Sequence, residues 1–442
     1  MKKDNKKKKF IIVVLLVLLM LGICGFICYD KFFKNNSSTV TTKKTTTSGD
    51  TIKLTESYSI TSGGTYNFTG TIKNGSITVN TKEEVYIVLN DVSITNSNGP
   101  AINVESAKNV YISINGKSTL TSTTNETLDG AIYSKADLIF DGDGELIVKS
   151  NYDGIVSKDD LVIKSGTYTI ETDDDGIRGK DGVTIEDGTF IITTKGDGIK
   201  STNEEDDKKG DVTINKGTFN INAGNDGIQA ITTLTINDGK FTIKTGSGSS
   251  GTTTEDSTKG LKSDKTIVIN GGTISIDSQD DGIHSNDTIN IKKGDITISA
   301  NDDGIHADGT VVIDGGNITI TSYEGIEATY VKINDGAITV NASDDGINAT
   351  NKSSDYSVLV EINGGKITIK MGQGDTDGID SNGDLVINGG TIDITCSSPF
   401  DYDETATYNG GTLIVNGEET NEITSQFGNG GPGEQGGMPG RR

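Results

Sequence analysis

Residues 278–320 read SQDDGIHSNDTINIKKGDITISANDDGIHADGTVVIDGGNITI, and this stretch contains the repeat of the chain twice. The two copies align at Asp-Gly-Ile-His, which places Gly282 and Gly304 22 residues apart. Each copy continues with an apolar-x-apolar pair, a glycine turn and a second such pair, as in TINIKKGDITI. A repeat built only from short segments of period 2 is typical of one coil of a β-solenoid and not of helices.

The Asp-Gly-Ile step recurs along most of the chain at intervals close to 22 residues. Its glycines, including the variants Lys-Gly-Leu at 259–261 and Glu-Gly-Ile at 324–326, are Gly130, Gly154, Gly176, Gly198, Gly227, Gly260, Gly282, Gly304, Gly325, Gly346 and Gly378. Longer intervals carry insertions at 203–210, 246–258, 350–357 and 371–376. Insertions confined to two corners of a repeat leave a solenoid stack intact.

Each coil is predicted to contain three short strands. In the coil that begins at Asp303 they are 304–307, 310–313 and 317–320. Alternation turns six side chains inward, namely Ile305, Ala307, Val311, Ile313, Ile318 and Ile320. The same inward columns hold Phe190, Phe219 and Phe241 in other coils. Because parallel crossover connections are right-handed by default, the predicted fold class is all-β, a right-handed parallel β-helix after an N-terminal transmembrane helix.

The composition limits the partners and the fold of the chain. The net charge of −24 argues against nucleic acid and makes metal cations natural companions. Fifty-eight Gly and four Pro suit an all-β chain with many tight turns. Three Cys, two of them in one apolar run, imply no disulfide framework. We expect a monomer.

The N-terminal residues predict a membrane anchor. Residues 1–9 carry six Lys and one Asp, and 10–28 is an uncharged apolar run long enough to span a bilayer. Lys on this flank predicts a cytoplasmic N-terminus and an extracellular remainder, hence a single-pass protein of the cell membrane. The alternative, a cleaved secretion signal, lacks a small-x-small site after the apolar run. Residues 29–50 are predicted to form a flexible linker, 51–426 the β-helix and 427–442 a disordered Gly-rich tail.

An acidic residue precedes the glycine in nearly every coil. This column comprises Asp129, Asp153, Asp175, Asp197, Asp226, Asp281, Asp303, Glu324, Asp345 and Asp377, and four coils double it with Asp174, Asp280, Asp302 and Asp344. In one interpretation each Asp only caps a turn by bonding the backbone around the next Gly. In the other, the doubled sites 174/175, 280/281, 302/303 and 344/345 bind Ca²⁺, which takes six to eight oxygen ligands.

The position after Asp-Gly-Ile is predicted to face outward and form a strip that changes from basic to acidic: Val156, Arg178, Lys200, Gln229, Lys262, His284, His306, Glu327, Asn348 and Asp380. The two His are predicted to stack on adjacent coils. They suit a metal or catalytic pair, but two exposed His also arise simply by duplication of the repeat. Arg178, the one arginine outside the tail, is the candidate base of a β-helix lyase, yet it lies far from the densest acidic pairs.

The D-D-G-I-H-[SA] and V-x-I-[ND]-G-G-x-[IF]-x-I signatures over residues 129–416 resemble a bacterial family of carbohydrate-binding domains from cellulolytic clostridia. The resemblance implies the right-handed β-helix of the pectate lyases, Ca²⁺ sites at acidic corners, binding of cellulose and polygalacturonate-like polymers, and no demonstrated lyase activity. The expected sugar contacts are Lys262, His284, His306 and Tyr323. The chain has no Trp to stack on sugars, so Tyr takes that part.

The leading hypothesis is a membrane-anchored surface protein that binds plant cell-wall or other acidic polysaccharide with the help of Ca²⁺, and that is not an enzyme. One alternative is a structural stalk or adhesin, and the other is a β-helix lyase or related enzyme.

Overall fold

The computed structural model describes residues 51–252, 256–372 and 376–424. The chain divides into two units, Met1–Gly49 and Asp50–Arg442, and every described residue belongs to the second. Within these ranges the chain forms 43 strands and no helix, so the all-β prediction is confirmed. No described segment is a helix with the length and apolarity needed to cross a bilayer. The predicted basic segment, transmembrane helix, linker and tail (1–9, 10–28, 29–50 and 427–442) lie outside the described residues.

The strands are numbered in chain order. β1 to β14 are Thr51–Leu54, Tyr58–Ile60, Gly64–Ile72, Ile77–Asn80, Val85–Asn96, Ile102–Ser106, Asn109–Asn115, Lys117–Ser122, Gly130–Ser134, Asp137–Gly142, Glu145–Ser150, Asp153–Ser157, Asp160–Ile163 and Thr167–Thr172. β15 to β29 are Ile177–Gly179, Gly182–Ile185, Thr189–Thr194, Ile199–Ser201, Asp211–Ile214, Thr218–Ala223, Ile228–Ala230, Thr233–Ile236, Lys240–Thr245, Leu261–Ser263, Thr266–Ile269, Thr273–Ser278, Ile283–Ser285, Thr288–Ile291 and Asp295–Ala300. β30 to β43 are Ile305–Ile313, Asn317–Ser322, Ile326–Ile333, Ala337–Ala342, Ile347–Ala349, Leu359–Ile362, Lys366–Met371, Asp377–Ser381, Asp384–Ile387, Thr391–Thr395, Ser398–Tyr402, Ala406–Tyr408, Thr412–Val415 and Glu418–Thr420.

Strands pair with the equivalent strand of the next coil. Thus β12 pairs with β15, β13 with β16 and β14 with β17, and the same step of three continues to β26 and β29. The register matches equivalent residues, as His284 faces His306 between β27 and β30. All pairings between these strands are parallel except that of β42 with β43. The parallel β-helix is therefore confirmed, while its right-handed sense stays a prediction.

Two successive coils of the Asp-Gly-Ile repeat depart from the predicted three strands. The first two strands of the coil at Asp303 are continuous as β30, Ile305–Ile313, and those of the next coil as β32, Ile326–Ile333. β32 pairs with β30 on both sides of a register shift between Ala307 and Thr310. Three of the insertions fall between strands as predicted, and the fourth begins at Met371, the last residue of β36; 253–255 and 373–375 lie outside the described residues.

The core is a set of columns of apolar side chains inside the coils. All six predicted inward residues of the coil at Asp303 are at most 1% exposed. Tyr168, Phe190, Phe219 and Phe241 stack face to face on successive coils, with centroids 4.7–5.0 Å apart. Their spacing is set by the strand separation of about 4.8 Å, which is also a favourable ring-stacking distance.

A second ladder holds the glycine turn after the middle strand. There, Asn side chains pass hydrogen bonds from coil to coil, as when Asn388 Nδ2 donates to Asn363 Oδ1 (2.7 Å) and Asn409 Nδ2 to Asn388 Oδ1 (2.7 Å). An amide both donates and accepts, so identical residues can satisfy each other along the stack. This corner therefore needs no charge, in contrast to the Asp-Gly-Ile corner.

Phe190→Ala is expected to lower the free energy of unfolding by about 3–5 kcal/mol, because it leaves a cavity in the buried stack of aromatic rings. The matched control is Ile191→Ala on the same strand, where Ile191 is 46% exposed and the expected change is within about 0.5 kcal/mol. Urea denaturation of both variants measures the difference. An equal loss of unfolding free energy in the two variants would show that the column of rings does not stabilise the core.

Candidate functional site

The Asp-Gly-Ile corner brings the backbones of successive coils into close contact. A Cβ placed on Gly282 would lie 2.6 Å from the carbonyl oxygen of Gly304, and the same clash recurs at Gly304 against Gly325. Gly282 N–H donates to Asp303 O (2.8 Å) and Ile283 N–H to Gly304 O (3.1 Å). Glycine is required here because no side chain fits between the coils.

The acidic residue before each glycine reaches across to the next coil. Oδ1 of Asp153 accepts from Asp175 N–H (3.0 Å), Oδ1 of Asp175 from Asp197 N–H (2.9 Å), and Oδ1 of Asp197 from Asp226 N–H (2.8 Å). Asp281 and Asp345 make the same bond. The carboxylate thus caps a neighbouring coil and not, as the turn interpretation expected, the backbone of its own turn.

The second carboxylate oxygen meets a cation in the N-terminal half of the column. Arg178 lies between Asp129 and Asp153, 2.6 Å from Asp153 Oδ2. Lys200 Nζ lies 3.1 Å from Asp175 Oδ2 and 2.7 Å from Asp197 Oδ2. Lys262 Nζ lies 3.2 Å from Asp226 Oδ2. These three cations belong to the strip that was predicted to face solvent. Their side chains are instead largely buried, because they fold back onto the carboxylates.

A further lysine occupies the first doubled acidic site of the C-terminal half. Lys259 contacts the carboxylate of Asp280, and its Nζ lies 3.3 Å from Asp281 Oδ2. Carboxylate oxygens of Asp280, Asp281 and Asp302 lie within 4.8 Å of one another. The structure therefore assembles this predicted cluster but places an ammonium group in it. Lys259 stands where the other coils have the acidic residue, directly after the 246–258 insertion.

The two histidines continue the same arrangement. His284 Nδ1 lies 2.8 Å from Asp281 Oδ2 and His306 Nδ1 2.9 Å from Asp303 Oδ2. Their rings are stacked edge to face at 4.8 Å, as the register predicted. Burial and the nearby Asp281 and Glu327 carboxylates raise the pKa of Asp303 to about 10. Burial and the neighbouring negative charges act in the same direction on Asp303. Among the described carboxyl groups of the column, its pKa is raised the furthest.

The last coils of the column are short of positive charge. Within the described residues, neither Asp344, Asp345, Asp380 nor Glu324 forms an ion pair with Lys, Arg or His. Burial, followed by the charge of Glu327 and Asp303, raises the pKa of Glu324 to about 8. Burial and the charges of Asp380 and Asp344 raise the pKa of Asp345 to about 7. This corner, defined by Asp344, Asp345 and Asp380, is called the C-terminal acidic corner below.

The predicted sugar contacts differ in accessibility. Tyr323 is 47% exposed, and the Asp344 carboxylate beside its hydroxyl raises the pKa of Tyr323. The side chains of Lys262, His284 and His306 are only 19%, 14% and 14% exposed and face carboxylates of the chain. Of the four, Tyr323 alone presents a free face to a ligand.

The remaining doubled sites are divided between surface and interior. Asp174 is exposed, whereas Asp175 beside it is buried and paired with Lys200. Carboxylate oxygens of Asp153, Asp174 and Asp175 lie within 4.8 Å of one another. Asp302 is partly exposed and Asp303 buried, as are Asp280 and Asp281, whereas Asp344 and Asp345 are both partly exposed.

Sequence reasoning missed that the strip and the column form one charge network. The available signal was the spacing Asp-Gly-Ile-Lys, which places the cation three residues after the carboxylate, as in Asp197 and Lys200. Lys259 replaces the acidic residue of its coil and Lys352 belongs to the 350–357 insertion, so neither contribution left such a signal. Lys352 Nζ lies 2.9 Å from Glu327 Oε2.

Comparison with known proteins identifies the family of this chain. The sequence profile of a family described as "carbohydrate-binding domain-containing protein" matches residues 55–304 and 294–428. The chain belongs to this family. The resemblance drawn from the D-D-G-I-H and Gly-Gly signatures is therefore confirmed.

Two relatives of the carbohydrate-binding domain carry informative descriptions. A carbohydrate-binding domain-containing protein of Acetivibrio thermocellus is 34% identical over 125 residues, which are 25% of this chain and 44% of the relative. The chain thus spans less than half the length of that curated relative. A solved structure of a polysaccharide lyase-like protein from C. thermocellum, a gadolinium derivative, is 33% identical and matches 43% of this chain and 82% of its own, with a TM-score of 0.42.

The family is described by binding and not by a reaction, in agreement with the prediction that the chain is not an enzyme. Arg178, the candidate lyase base, is held between two carboxylates. Burial lowers the pKa of its guanidinium, but the charges of Asp153 and Asp129 outweigh burial and raise it overall. A guanidinium in this position stays protonated and serves the charge network.

Lys200→Met is expected to lower the free energy of unfolding by about 3–5 kcal/mol, because two buried carboxylates lose their shared cation. The matched control is Lys195→Met, since Lys195 is 73% exposed beside Asp173 and its loss is expected to cost under about 1 kcal/mol. Urea denaturation at neutral pH compares the two. Equal, small costs would mean that the carboxylate column does not depend on the lysines of the strip.

Proposed function

We propose that this carbohydrate-binding domain holds polysaccharide at the cell surface, and that Ca²⁺ at the C-terminal acidic corner assists the binding. The ligands proposed are cellulose or polygalacturonate-like polymers. The observation that carries the proposal is the combination of an exposed aromatic ring, Tyr323, with a carboxylate cluster that lacks a protein cation. A ring face suits a sugar face, and a cluster of carboxylates suits a hard cation.

The donor set at this corner fits Ca²⁺. Asp344, Asp345 and Asp380 supply carboxylate oxygens, and a hard cation prefers oxygen ligands. Asn348 adds a buried amide oxygen, Oδ1, that has no hydrogen-bond partner among the described residues, while its Nδ2 donates to Glu324 Oε2 (3.0 Å). Asn348 pairs in register with Asp380. A buried oxygen without a donor is costly unless a cation or a water molecule satisfies it.

The other doubled sites fit Ca²⁺ less well. Lys259 contacts Asp280 and Asp281, and Lys200 contacts Asp175. A divalent ion at either place would have to displace an ammonium group that already neutralises the carboxylates. The proposal therefore narrows the four predicted calcium sites to the one at Asp344 and Asp345.

The cation and Tyr323 would have different roles in binding at this corner. Bound Ca²⁺ would supply positive charge and open coordination positions for sugar oxygens. Tyr323 would pack its ring against a sugar, beside the Asp344 carboxylate that raises the pKa of its hydroxyl. A chain with a net charge of −24 repels an acidic polymer, so a cation at the contact is needed to bind uronate.

The membrane attachment is proposed from the sequence alone. Residues 10–28 would anchor the chain, with 1–9 in the cytoplasm and the β-helix outside the cell. Alkaline extraction of membranes tests this part, since an integral protein stays in the pellet and a peripheral one is released.

Full-length protein is expected to co-sediment with polygalacturonate or cellulose in Ca²⁺, and less so in EGTA. Tyr323→Ala is expected to weaken binding about tenfold, which corresponds to about 1.4 kcal/mol. The control is Tyr86→Ala, which removes another exposed aromatic side chain (39%) from the N-terminal coils. Failure to sediment with either polymer, with and without Ca²⁺, would exclude the proposed function.

Thermal unfolding tests the cation at the corner. Because the pKa values of Glu324 and Asp345, about 8 and about 7, exceed the value of about 4 of unfolded carboxyls, the folded chain binds more protons. Their contribution to stability is therefore complete below pH 4 and is lost as the pH rises through 7 to 8. Ca²⁺ is expected to offset this loss and raise the midpoint at pH 8.

Asp345→Asn keeps an oxygen for the Asp377 N–H but removes the charge, so it is expected to reduce both the loss at high pH and the response to Ca²⁺. Asp197→Asn is the matched control on the same column, where Lys200 already neutralises the carboxylate, and its Ca²⁺ response should equal that of the wild type. An equal Ca²⁺ response in wild type and Asp345→Asn would contradict a site at this corner.

A further inference from the structure

The two histidines of the chain are equivalent in register but differ in one nitrogen. In both, Nδ1 faces the Asp of the same coil, at 2.8 Å for His284 and 2.9 Å for His306. The Nε2 of His284 is hydrogen bonded to Asn286 Oδ1 at 3.0 Å. The Nε2 of His306 is buried and makes no hydrogen bond to the described residues. His306 therefore has a free ring nitrogen that its neighbour lacks.

The atoms around His306 Nε2 are carboxylate oxygens. Glu327 Oε2, from the next coil, lies 3.5 Å away, and Asp308 Oδ1, where His284 has Asn286, lies 3.6 Å away. Asp303 Oδ2 lies on the opposite edge of the imidazole, 2.9 Å from Nδ1. Oxygens of Asp303 and Glu327 and a nitrogen of His306 lie within 4.8 Å of one another.

The two distances are too long for hydrogen bonds, whose usual N···O range is about 2.7–3.2 Å. They are close to the separation of two ligands of one tetrahedral cation. With ligand bonds of about 2.0–2.1 Å and tetrahedral angles, ligand atoms lie about 3.3–3.4 Å apart. Both oxygens therefore lie at distances from Nε2 that fit two ligands of one tetrahedral cation.

We propose that His306 Nε2, Glu327 and Asp308 bind a divalent transition cation of the zinc class. Imidazole nitrogen favours zinc-like ions over Ca²⁺, which takes oxygen ligands. A polar partner on the second ring nitrogen, here Asp303 Oδ2 at 2.9 Å, fixes the tautomer and the ring orientation of a metal-binding histidine. His306 and Glu327 lie on successive coils, so the ion joins two coils of the stack.

One protein cation competes for the site. Lys352 Nζ lies 2.9 Å from Glu327 Oε2, the same oxygen that lies 3.5 Å from His306 Nε2. The Lys352 side chain is 34% exposed and belongs to the 350–357 insertion. A flexible, partly exposed ammonium group can withdraw to solvent when a divalent ion takes its place, so Lys352→Met is expected to raise the affinity for zinc.

This inference goes beyond the proposed function and does not depend on it. The zinc site contains an imidazole, whereas the donors of the C-terminal acidic corner are all oxygens. A chain that binds no polysaccharide can still bind zinc here, and the two tests share no readout.

Calorimetric titration of chelator-washed full-length protein with ZnCl₂ tests the proposal, using protein without an oligohistidine tag. One ion per chain is expected to bind. His306→Gln and Asp308→Asn are each expected to weaken binding about 10–100-fold. The matched control is His284→Gln on the preceding coil, which should bind zinc as the wild type does. Co²⁺ in place of zinc should give the visible absorption of a tetrahedral site, and lose it in Asp308→Asn.

The absence of saturable zinc binding would overturn the proposal. So would unchanged affinity in Asp308→Asn, or equal weakening in His284→Gln and His306→Gln. Asp308 is 41% exposed at its side chain, so Asp308→Asn leaves the buried part of the coil unchanged and decides the question even where His306→Gln fails to fold.

Discussion

Parallel, in-register stacking imposes one constraint on the whole β-helix: each side chain has a near copy of itself about 4.8 Å away on the next coil. Rings and aliphatic groups gain from this arrangement, and amides hydrogen bond to one another. Carboxylates do not, because two charges at that distance repel by about 3 kcal/mol at an effective dielectric near 20. The acidic column exists only because backbone N–H groups and cations offset this repulsion.

The source of the compensating charge changes along the column. Arg178, Lys200 and Lys262 serve the N-terminal coils, each bound to carboxylates of its own or a preceding coil. His284 and His306 follow, and the C-terminal acidic corner has no ion pair among the described residues. The first part of the column is thus neutralised by the chain's own cations. The last part combines carboxyl groups that pair with no cation of the described residues, an exposed Tyr323 and the buried Asn348 Oδ1 without a donor, which are features of a site that takes a ligand.

The sequence predicted the coil length, the inward residues and the positions of the insertions because all three follow from a period of 22 and an alternation of 2. It also predicted the stacking of His284 on His306. It could not show that Lys200 folds back onto Asp175, because alternation gives the direction of a Cβ and not the course of a long side chain. Nor could it show that Lys259 reaches Asp280 and Asp281, since the same limit applies to a lysine at the acidic position of the repeat.

The central claim is that the chain's own cations neutralise the first coils and that an added cation is needed at the last. An anomalous difference map from a crystal grown with Sr²⁺, which replaces Ca²⁺ at oxygen sites, tests it most directly. The account predicts density beside Asp345 and Asp380 and none between Arg178 and Asp153 or beside Lys200. Equal density at every doubled acidic site, or none at Asp345, would contradict it.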